Sequence, residues 1–128
     1  MKYFQYISRR IAADTAIFAL NVLAASTLDS EIRNRVVGYG LFLFFGMLAY
    51  GFLRRKKDPS QFAPPDFTYP PSMLFINELP VVTSSLIALA ALGAGDHFPA
   101  QRFLLALPAA YIGRNLPRLI VELERARS

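Results

Sequence analysis

The chain has 128 residues, room for one domain, and 54% of them are hydrophobic while only 18% are charged. Soluble domains carry about 25% charged residues, so this composition favours a membrane protein over a soluble helical bundle. The net charge of +5 does not by itself indicate nucleic-acid binding, because the cations cluster at the ends of apolar runs, where anionic lipid headgroups attract them. The absence of cysteine excludes disulfides, thiol chemistry and cysteine-based metal sites.

Two apolar runs, residues 11–28 and 36–53, fill the first half of the chain and are separated by a short polar turn. A helix of about 18 residues reaches about 27 Å, close to the thickness of the hydrocarbon core of a bilayer. The runs therefore predict two transmembrane helices joined as a hairpin, and residues 1–10, rich in aromatic residues and cations, are predicted to lie at the membrane interface. Four glycines of the second run are predicted to permit close helix packing: Gly38, Gly40, Gly46 and Gly51.

Asp14 and Asn21 are the polar residues that interrupt the first run. They are seven positions apart, so they fall on the same face of a helix. In one interpretation this face is directed at the other helices, because a carboxylate inside a span avoids lipid. In the other interpretation Asp14, one turn from the end of the run, lies in the membrane interface and has no special role. The sequence does not decide between the two.

A cationic stretch, Arg54-Arg55-Lys56-Lys57, follows the second run and opens a proline-rich connection over residues 54–78. Four adjacent cations cannot lie in hydrocarbon without a large cost. The stretch therefore marks a turn at the membrane face and divides the protein into two hydrophobic hairpins.

The second hairpin is predicted over residues 79–95 and 98–113, which are shorter runs. Since about 15 residues reach only about 23 Å, the alternatives are two full but thin spans, which we favour, or a partly re-entrant hairpin. Asn115 is predicted to cap an amphipathic helix at the interface, residues 115–127, that continues from the last span. The predicted fold is thus an all-α integral membrane protein with four transmembrane helices in two hairpins and a C-terminal amphipathic interfacial helix.

The cations are distributed unequally over the two sides of this four-span arrangement. Both termini and the central connection fall on one side, which then carries most of the lysines and arginines. Cytoplasmic loops are enriched in cations, so the sequence predicts a multi-pass protein of the cell inner (plasma) membrane with both termini and the connection in the cytoplasm.

The sequence contains no zincin motif, no nucleophile elbow and no phosphate-binding glycine loop. It therefore predicts no enzyme, no cofactor and no metal site. Charged residues predicted at the cytoplasmic face are candidates for binding a lipid phosphate, because arginine and lysine bind phosphate well. They are Arg54, Arg55, Lys56, Lys57, Glu78, Arg114 and Arg118. The alternative is that these cations do no more than set the topology.

Two stretches carry a resemblance to a known family. Residues 8–14, Ser-Arg-Arg-Ile-Ala-Ala-Asp, lead into an apolar span, and the closing part has Phe98-Pro99, Pro108, Gly113-Arg114 and Arg118-Leu119. Together they resemble the N-terminal four-helix membrane domain of bacterial polysaccharide-biosynthesis proteins. In that family the domain precedes a catalytic unit, either a nucleotide-sugar dehydratase or a polyprenyl-phosphate sugar-phosphate transferase.

The resemblance covers about residues 8–127, the membrane unit alone, so it implies no catalytic residue. This chain lacks the tryptophan that the family tends to carry after the second span, and its central connection is longer and richer in proline. The resemblance implies a membrane protein that anchors, or that binds polyprenyl-linked glycans.

The function predicted from these observations is that of a small non-catalytic polytopic membrane protein that binds or anchors in a polyprenyl-phosphate-linked glycan pathway. The alternatives are an accessory subunit of a larger membrane complex and a small homo-oligomeric transporter or pore. The predicted partners are membrane lipids and other membrane proteins, in a homo-oligomer or hetero-oligomer, and not nucleic acid.

Overall fold

Four α-helices make up most of the part of the chain that the computed structural model describes, which is residues 3–57, 70–92 and 103–127. They are α1 (Tyr3–Ala25), α2 (Ser30–Lys57), α3 (Pro71–Ala91) and α4 (Ala106–Arg127). No strand occurs among these described residues. The all-α prediction is confirmed for them.

The pairing of α1 with α3 is parallel. Arg10 near the start of α1 bonds Glu78 in the first half of α3, and Asn21 near the end of α1 bonds Ser85 further along α3. Contacts that advance together along two helices require both to run in the same direction. The two helices are therefore side by side and parallel, although a whole helix separates them in the chain.

The second helix that packs against α1 is α4, which runs in the opposite direction. Asn21 near the end of α1 bonds the carbonyl of Leu104, just before α4 begins. Arg10 near the start of α1 lies over the ring of Tyr111, further along α4. Advancing along one helix therefore means going back along the other, and the pair is antiparallel.

Glycine contacts show that α2 and α4 are parallel. A Cβ built on Gly40 would lie 3.0 Å from the Cβ of Leu105, and one built on Gly51 would lie 2.6 Å from Cγ of Pro117. The contacts advance together, so α2 runs with α4 and against α1. Consequently the start of α1, the end of α2, the start of α3 and the end of α4 all lie at the same end of the assembly, which we call the cationic end because the stretch from Arg54 to Lys57 closes α2 there.

The backbones of α2 and α4 come close together at Gly113. A Cβ at this position would lie 2.5 Å from the carbonyl oxygen of Phe44, so only glycine lets the two backbones come this near. The glycines of α2 are used unequally, since a Cβ on Gly38 or Gly46 would meet nothing within 4 Å. Gly40 and Gly51 therefore serve the packing that the sequence predicted for all four glycines, whereas Gly38 and Gly46 face away from α4.

In space the helices follow the order α3, α1, α4, α2. The main contacts are those of α2 with α4, of α4 with α1 and of α1 with α3, with a smaller contact between α3 and α4. The helices α1 and α4 are thus the inner pair, and α2 and α3 are the outer pair. Each outer helix leaves a wide apolar surface uncovered, with Phe42 75% exposed on α2 and Phe75 71% exposed on α3.

Apolar clusters close the two ends of the interior. The cluster at the end opposite the cationic end contains buried Ala25, Val36, Ala88, Leu104 and Leu105. The cluster at the cationic end contains buried Tyr6 and Ile7, packed against Ile11, Leu74 and Leu119. Most of the buried polar side chains lie between them, so the interior is polar in the middle.

The predicted connection over residues 54–78 is wrong at both of its ends. The cationic stretch does not leave the helix, because α2 continues through Lys57, and arginine and lysine are good helix formers. The next helix begins at Pro71 rather than at residue 79, with Pro70 in an extended conformation before it. Proline suits the first helical position, where no N–H is needed. Residues 58–69 lie outside the described part of the chain.

The helix cap predicted at Asn115, between a fourth span at residues 98–113 and the interfacial helix at 115–127 that continues from it, is also wrong. One continuous helix, α4, runs from Ala106 to Arg127, and Asn115 does not cap it but lies fully buried within it. Pro117 removes a helical hydrogen bond, yet its ring packs against Gly51 and the helix continues. Tertiary packing therefore overrides the local signal. Residues 93–102 lie outside the described part.

Residues 3–10, the described part of the predicted interfacial segment 1–10, also differ from the prediction. They do not form a separate interfacial segment, because α1 begins at Tyr3 and runs without a break to Ala25. The side chains of Tyr6, Ile7 and Arg10 are buried. The first two turns of α1 therefore belong to the helix packing.

Within the described residues, two helices are long and apolar enough to cross a membrane, judged by length and composition: Ser30–Arg54 and Pro71–Ala91. They are the two outer helices, α2 and α3. The inner helices α1 and α4 carry most of the buried polar residues, which lower their apolar character. The structure thus supports two of the four predicted spans by this criterion.

Candidate functional site

An arginine-lined groove lies between α2 and α4 near the cationic end. Its volume is about 370 Å³, within the range of about 300–1,000 Å³ that is typical of ligand sites. Arg54 of α2 and Arg114 and Arg118 of α4 line it. The remaining lining residues are Met47, Tyr50, Gly51 and Pro117. The groove therefore combines three guanidinium groups with an apolar and aromatic wall.

The helix packing explains why these arginines meet. Since α2 and α4 run in the same direction and touch at Gly51 and Pro117, the residues that follow along α2 lie beside those around Pro117. Arg114 and Arg118 are four positions apart, so they lie on one face of α4, one turn from each other. Three cations from two helices thus line one groove. No local sequence pattern connects Arg54 with the pair Arg114 and Arg118.

The predicted lipid-phosphate residues are only partly assembled in this groove. Arg54, Arg114 and Arg118 line it, while Arg55, Lys56 and Lys57 lie in the last turn of α2, and their side chains are outside the described part of the structure. Glu78 is not at the groove. It is buried between α1 and α3.

A second polar site, which we call the buried cluster, surrounds Arg10. Its Nε donates to Oε1 of Glu78 across 3.1 Å, its Nη2 donates to the carbonyl of Asn77 at 3.4 Å, and its Nη1 donates to the hydroxyl of Tyr6 at 3.5 Å. The amide of Asn77 also donates to the Tyr6 hydroxyl. The guanidinium group thus ties the first turns of α1 to α3.

Aromatic rings of α1 and α4 lie on the Arg10 guanidinium. Its central carbon is 5.7 Å from the ring centre of Tyr6 and 5.3 Å from that of Tyr111. Both distances are within the range of about 6 Å over which a ring face attracts a cation. The buried charge of Arg10 is therefore compensated by one carboxylate, one carbonyl and two rings from three helices.

Asp14 completes the buried cluster one helical turn after Arg10. Its side chain is fully buried, and neither oxygen accepts a hydrogen bond. It lies in electrostatic contact with Glu78 and Arg10. Two carboxylates and one guanidinium group therefore share a space from which solvent is excluded.

Asn21 lies on the same face of α1, two turns further on, and is also buried. Its Nδ2 donates to Oγ of Ser85 at 3.0 Å and to the carbonyl of Leu104 at 2.9 Å. A buried amide with both of these bonds fixes the relative position of α1, α3 and the start of α4. Its role in the structure is to join helices.

Asn115 of α4 is also a fully buried amide, and neither its Oδ1 nor its Nδ2 has a hydrogen-bond partner among the residues that the structure describes. It lies one turn after Tyr111, on the face of α4 that is directed toward α1.

Sequence reasoning missed Arg10, Tyr6 and Tyr111 as members of a site. A local signal existed, because Tyr6, Arg10 and Asp14 follow one another at spacings of four and therefore form a stripe on one face of α1. No comparable signal existed for Glu78, since its partner is 68 positions away in the sequence.

Neither site has the ligands of a metal centre. Within the described residues, no group of three or more histidine, cysteine, aspartate or glutamate side chains is placed to hold a metal ion. The arginine-lined groove suits an anion, and the buried cluster combines one cation with two acids.

Comparison of this chain with protein-family models, with curated proteins and with solved structures gives no match.

Proposed function

We propose that this protein is a four-span integral membrane protein that binds a phosphate-bearing lipid in the groove between α2 and α4. The proposal has two parts, the membrane location with its topology and the lipid site. Each part is supported by different residues.

The membrane location is supported by the surface of the outer helices. Large apolar side chains cover them, and more than half of the surface of each of the following is exposed: Leu41, Phe42, Phe45, Leu53, Phe75, Ile76, Leu86 and Ile87. An apolar surface this extensive is rare on a soluble protein. Lipid chains would cover this surface, while Arg10, Asp14, Asn21 and Asn115 of α1 and α4 are buried by protein.

The topology is supported by the alternating helix directions together with the charge distribution. If all four helices cross the membrane, both termini and the connection after α2 lie on the same side. This is also the cationic end, so the positive-inside rule places it in the cytoplasm. In this arrangement the inner helices α1 and α4 cross as polar helices between two apolar ones.

The lipid site is supported by one observation above all, the convergence of Arg54, Arg114 and Arg118 on one groove. Arginine presents a planar fork of donors that matches phosphate oxygens. The groove lies at the cationic end of the helices, the depth at which a lipid phosphate would be found. Met47 and Tyr50 extend its wall toward the apolar surface of α2, where an acyl or polyprenyl chain would continue.

The test is the amount of lipid that remains bound to the protein purified in a mild detergent, measured by native mass spectrometry. Titration with polyprenyl phosphate, phosphatidylglycerol and inorganic phosphate then separates a polyprenyl ligand from a general anionic lipid and from free phosphate. We expect Arg114→Gln to weaken binding roughly tenfold or more, since a hydrogen bond to a charged group contributes about 1.5–3 kcal/mol. Arg114→Lys should also weaken it, because lysine keeps the charge but loses the fork.

The matched control is Arg33→Gln, which removes one exposed cation at the other end of α2. It should leave the bound lipid unchanged. If both Arg114 variants retain the lipid of the unmodified protein, the arginines serve the topology alone and the lipid-binding function is wrong.

A further inference from the structure

Inside the buried cluster, carboxylate oxygens meet without enough hydrogen-bond donors. Oε1 of Glu78 accepts from Arg10, but Oε2 of Glu78 and both oxygens of Asp14 have no donor. Asp14 lies within hydrogen-bonding range of Glu78. Three acceptor oxygens are thus buried together between α1 and α3, and no described residue donates a hydrogen bond to them.

The charges of the buried cluster are also unbalanced. With both acids ionised, two negative charges face the single positive charge of Arg10. A buried charge is tolerated when it is paired and hydrogen-bonded, which is true of Glu78 but not of Asp14. Two carboxylates that share a buried space do not both stay ionised, because each raises the cost of charge on the other.

We infer that Asp14 holds a proton and donates a hydrogen bond to Oε2 of Glu78, so that Arg10, Asp14 and Glu78 form a proton-binding site between α1 and α3. The proton, taken from water, neutralises Asp14 and leaves Glu78 as the single anion opposite Arg10. It also supplies the missing donor to Oε2. One proton therefore resolves both the hydrogen-bond deficit and the charge imbalance.

The surroundings assign the proton to Asp14 rather than to Glu78. The charged groups that act on Asp14 are Glu78 of α3 and Arg10 of α1, and α4 contributes the neutral ring of Tyr111 on the guanidinium group. Oε1 of Glu78 accepts a hydrogen bond from Nε of Arg10. Asp14 has no such bond, so it is the acid that becomes neutral.

This proton holds α3 against α1. When Asp14 loses it, two anions oppose each other in the contact between the helices, and the hydrogen bond to Glu78 is lost. The contact between α1 and α3 therefore weakens as the pH rises. The site makes the helix packing responsive to protons, and it does so independently of any lipid in the groove.

The direct test is infrared spectroscopy of the purified protein, which detects the carbonyl stretch of a protonated carboxylic acid. We expect this band at pH 7 and its loss in Asp14→Asn. Glu78→Gln should also remove it, because Asp14 then becomes the only anion beside Arg10 and ionises. The control Asp29→Asn changes an exposed acid and should leave the band in place. A missing band in the unmodified protein, or a band that persists in Asp14→Asn, overturns the inference.

Stability against pH gives a second readout. The folded protein keeps a proton that the unfolded chain releases above about pH 4. The folded state therefore binds one more proton than the unfolded state. The unfolding equilibrium constant should therefore rise about tenfold for each pH unit, until folded Asp14 also ionises. Asp14→Asn retains a donor to Glu78 and should lack this dependence. An unmodified protein with the same pH dependence as Asp14→Asn contradicts the inference.

Discussion

Nε of Arg10 donates to Oε1 of Glu78 across 3.1 Å, with the two side chains only 7% and 10% exposed. The bond joins α1 to α3 across 68 positions of sequence. The protein has a natural comparison for it, since Arg35 and Glu31 form an ion pair of 2.9 Å whose side chains are 56% and 78% exposed. The two pairs share the same chemistry and differ in burial, so they separate the effect of burial from that of charge.

The first prediction concerns these two arginines. Arg10→Ala leaves Glu78 buried without its cation, and removal of one partner of a buried pair costs about 3–5 kcal/mol of the free energy of unfolding. Arg35→Ala removes an exposed partner four positions from its acid, where such pairs contribute about 0.3–0.5 kcal/mol. Denaturant titration of both variants in detergent measures the difference. Equal losses would mean that the Arg10–Glu78 bond does not join the helices.

The second prediction concerns the contact between α2 and α4. Gly113→Ala places a methyl group 2.5 Å from the carbonyl oxygen of Phe44, and the helices must move apart. Overpacking of this kind costs about 1–3 kcal/mol, which should lower the thermal midpoint measured in detergent.

The matched control for Gly113 is Gly46→Ala, because a methyl group at Gly46 meets nothing within 4 Å. It should be neutral or stabilising by up to about 1 kcal/mol, since alanine is the better helix former. If the two alanine variants behave alike, the packing of α4 on α2 differs from that described.

The third prediction tests the proposed four-span topology. The chain has no cysteine, so single cysteines can be labelled without background at Ser30, Ser60, Ala94 and Ser128. We expect a membrane-impermeant thiol reagent to reach Ser60→Cys and Ser128→Cys only from the cytoplasmic side, and Ser30→Cys and Ala94→Cys only from the opposite side. Labelling of the first two positions from different sides would rule out four spans.

Several features of the candidate sites could be anticipated from local patterns. The arginines of the groove lie near the cationic stretch and in the closing helix, where clustered cations indicated an anionic partner. Asp14 and Asn21 share a face because they are seven positions apart, and both are buried. These patterns could not predict which helices pair, because a run that is apolar all round carries no information about which side faces protein.

The helix boundaries likewise show where local sequence signals fail and tertiary packing decides. The helix starts predicted at residue 79 and at Asn115 are both in the wrong place, because α3 already begins at Pro71 and α4 at Ala106. Asn115 is instead buried inside α4, because Gly113 and Pro117 pack on α2 and carry the helix past that point. Local capping preferences amount to about 1 kcal/mol, which a well-packed contact between two helices readily exceeds.

The sequence by itself determined the helical class, the apolar character of α2 and α3 and the position of the cations, because propensity, hydropathy and charge are properties of residues and their near neighbours. Only the tertiary structure decided that α1 and α4 lie inside, that Arg10 meets Glu78, and that Asp14 is left without a donor. These relationships depend on the direction and rotation of each helix relative to the others. They are set by the summed packing of whole helix faces, which no single stretch of the chain contains.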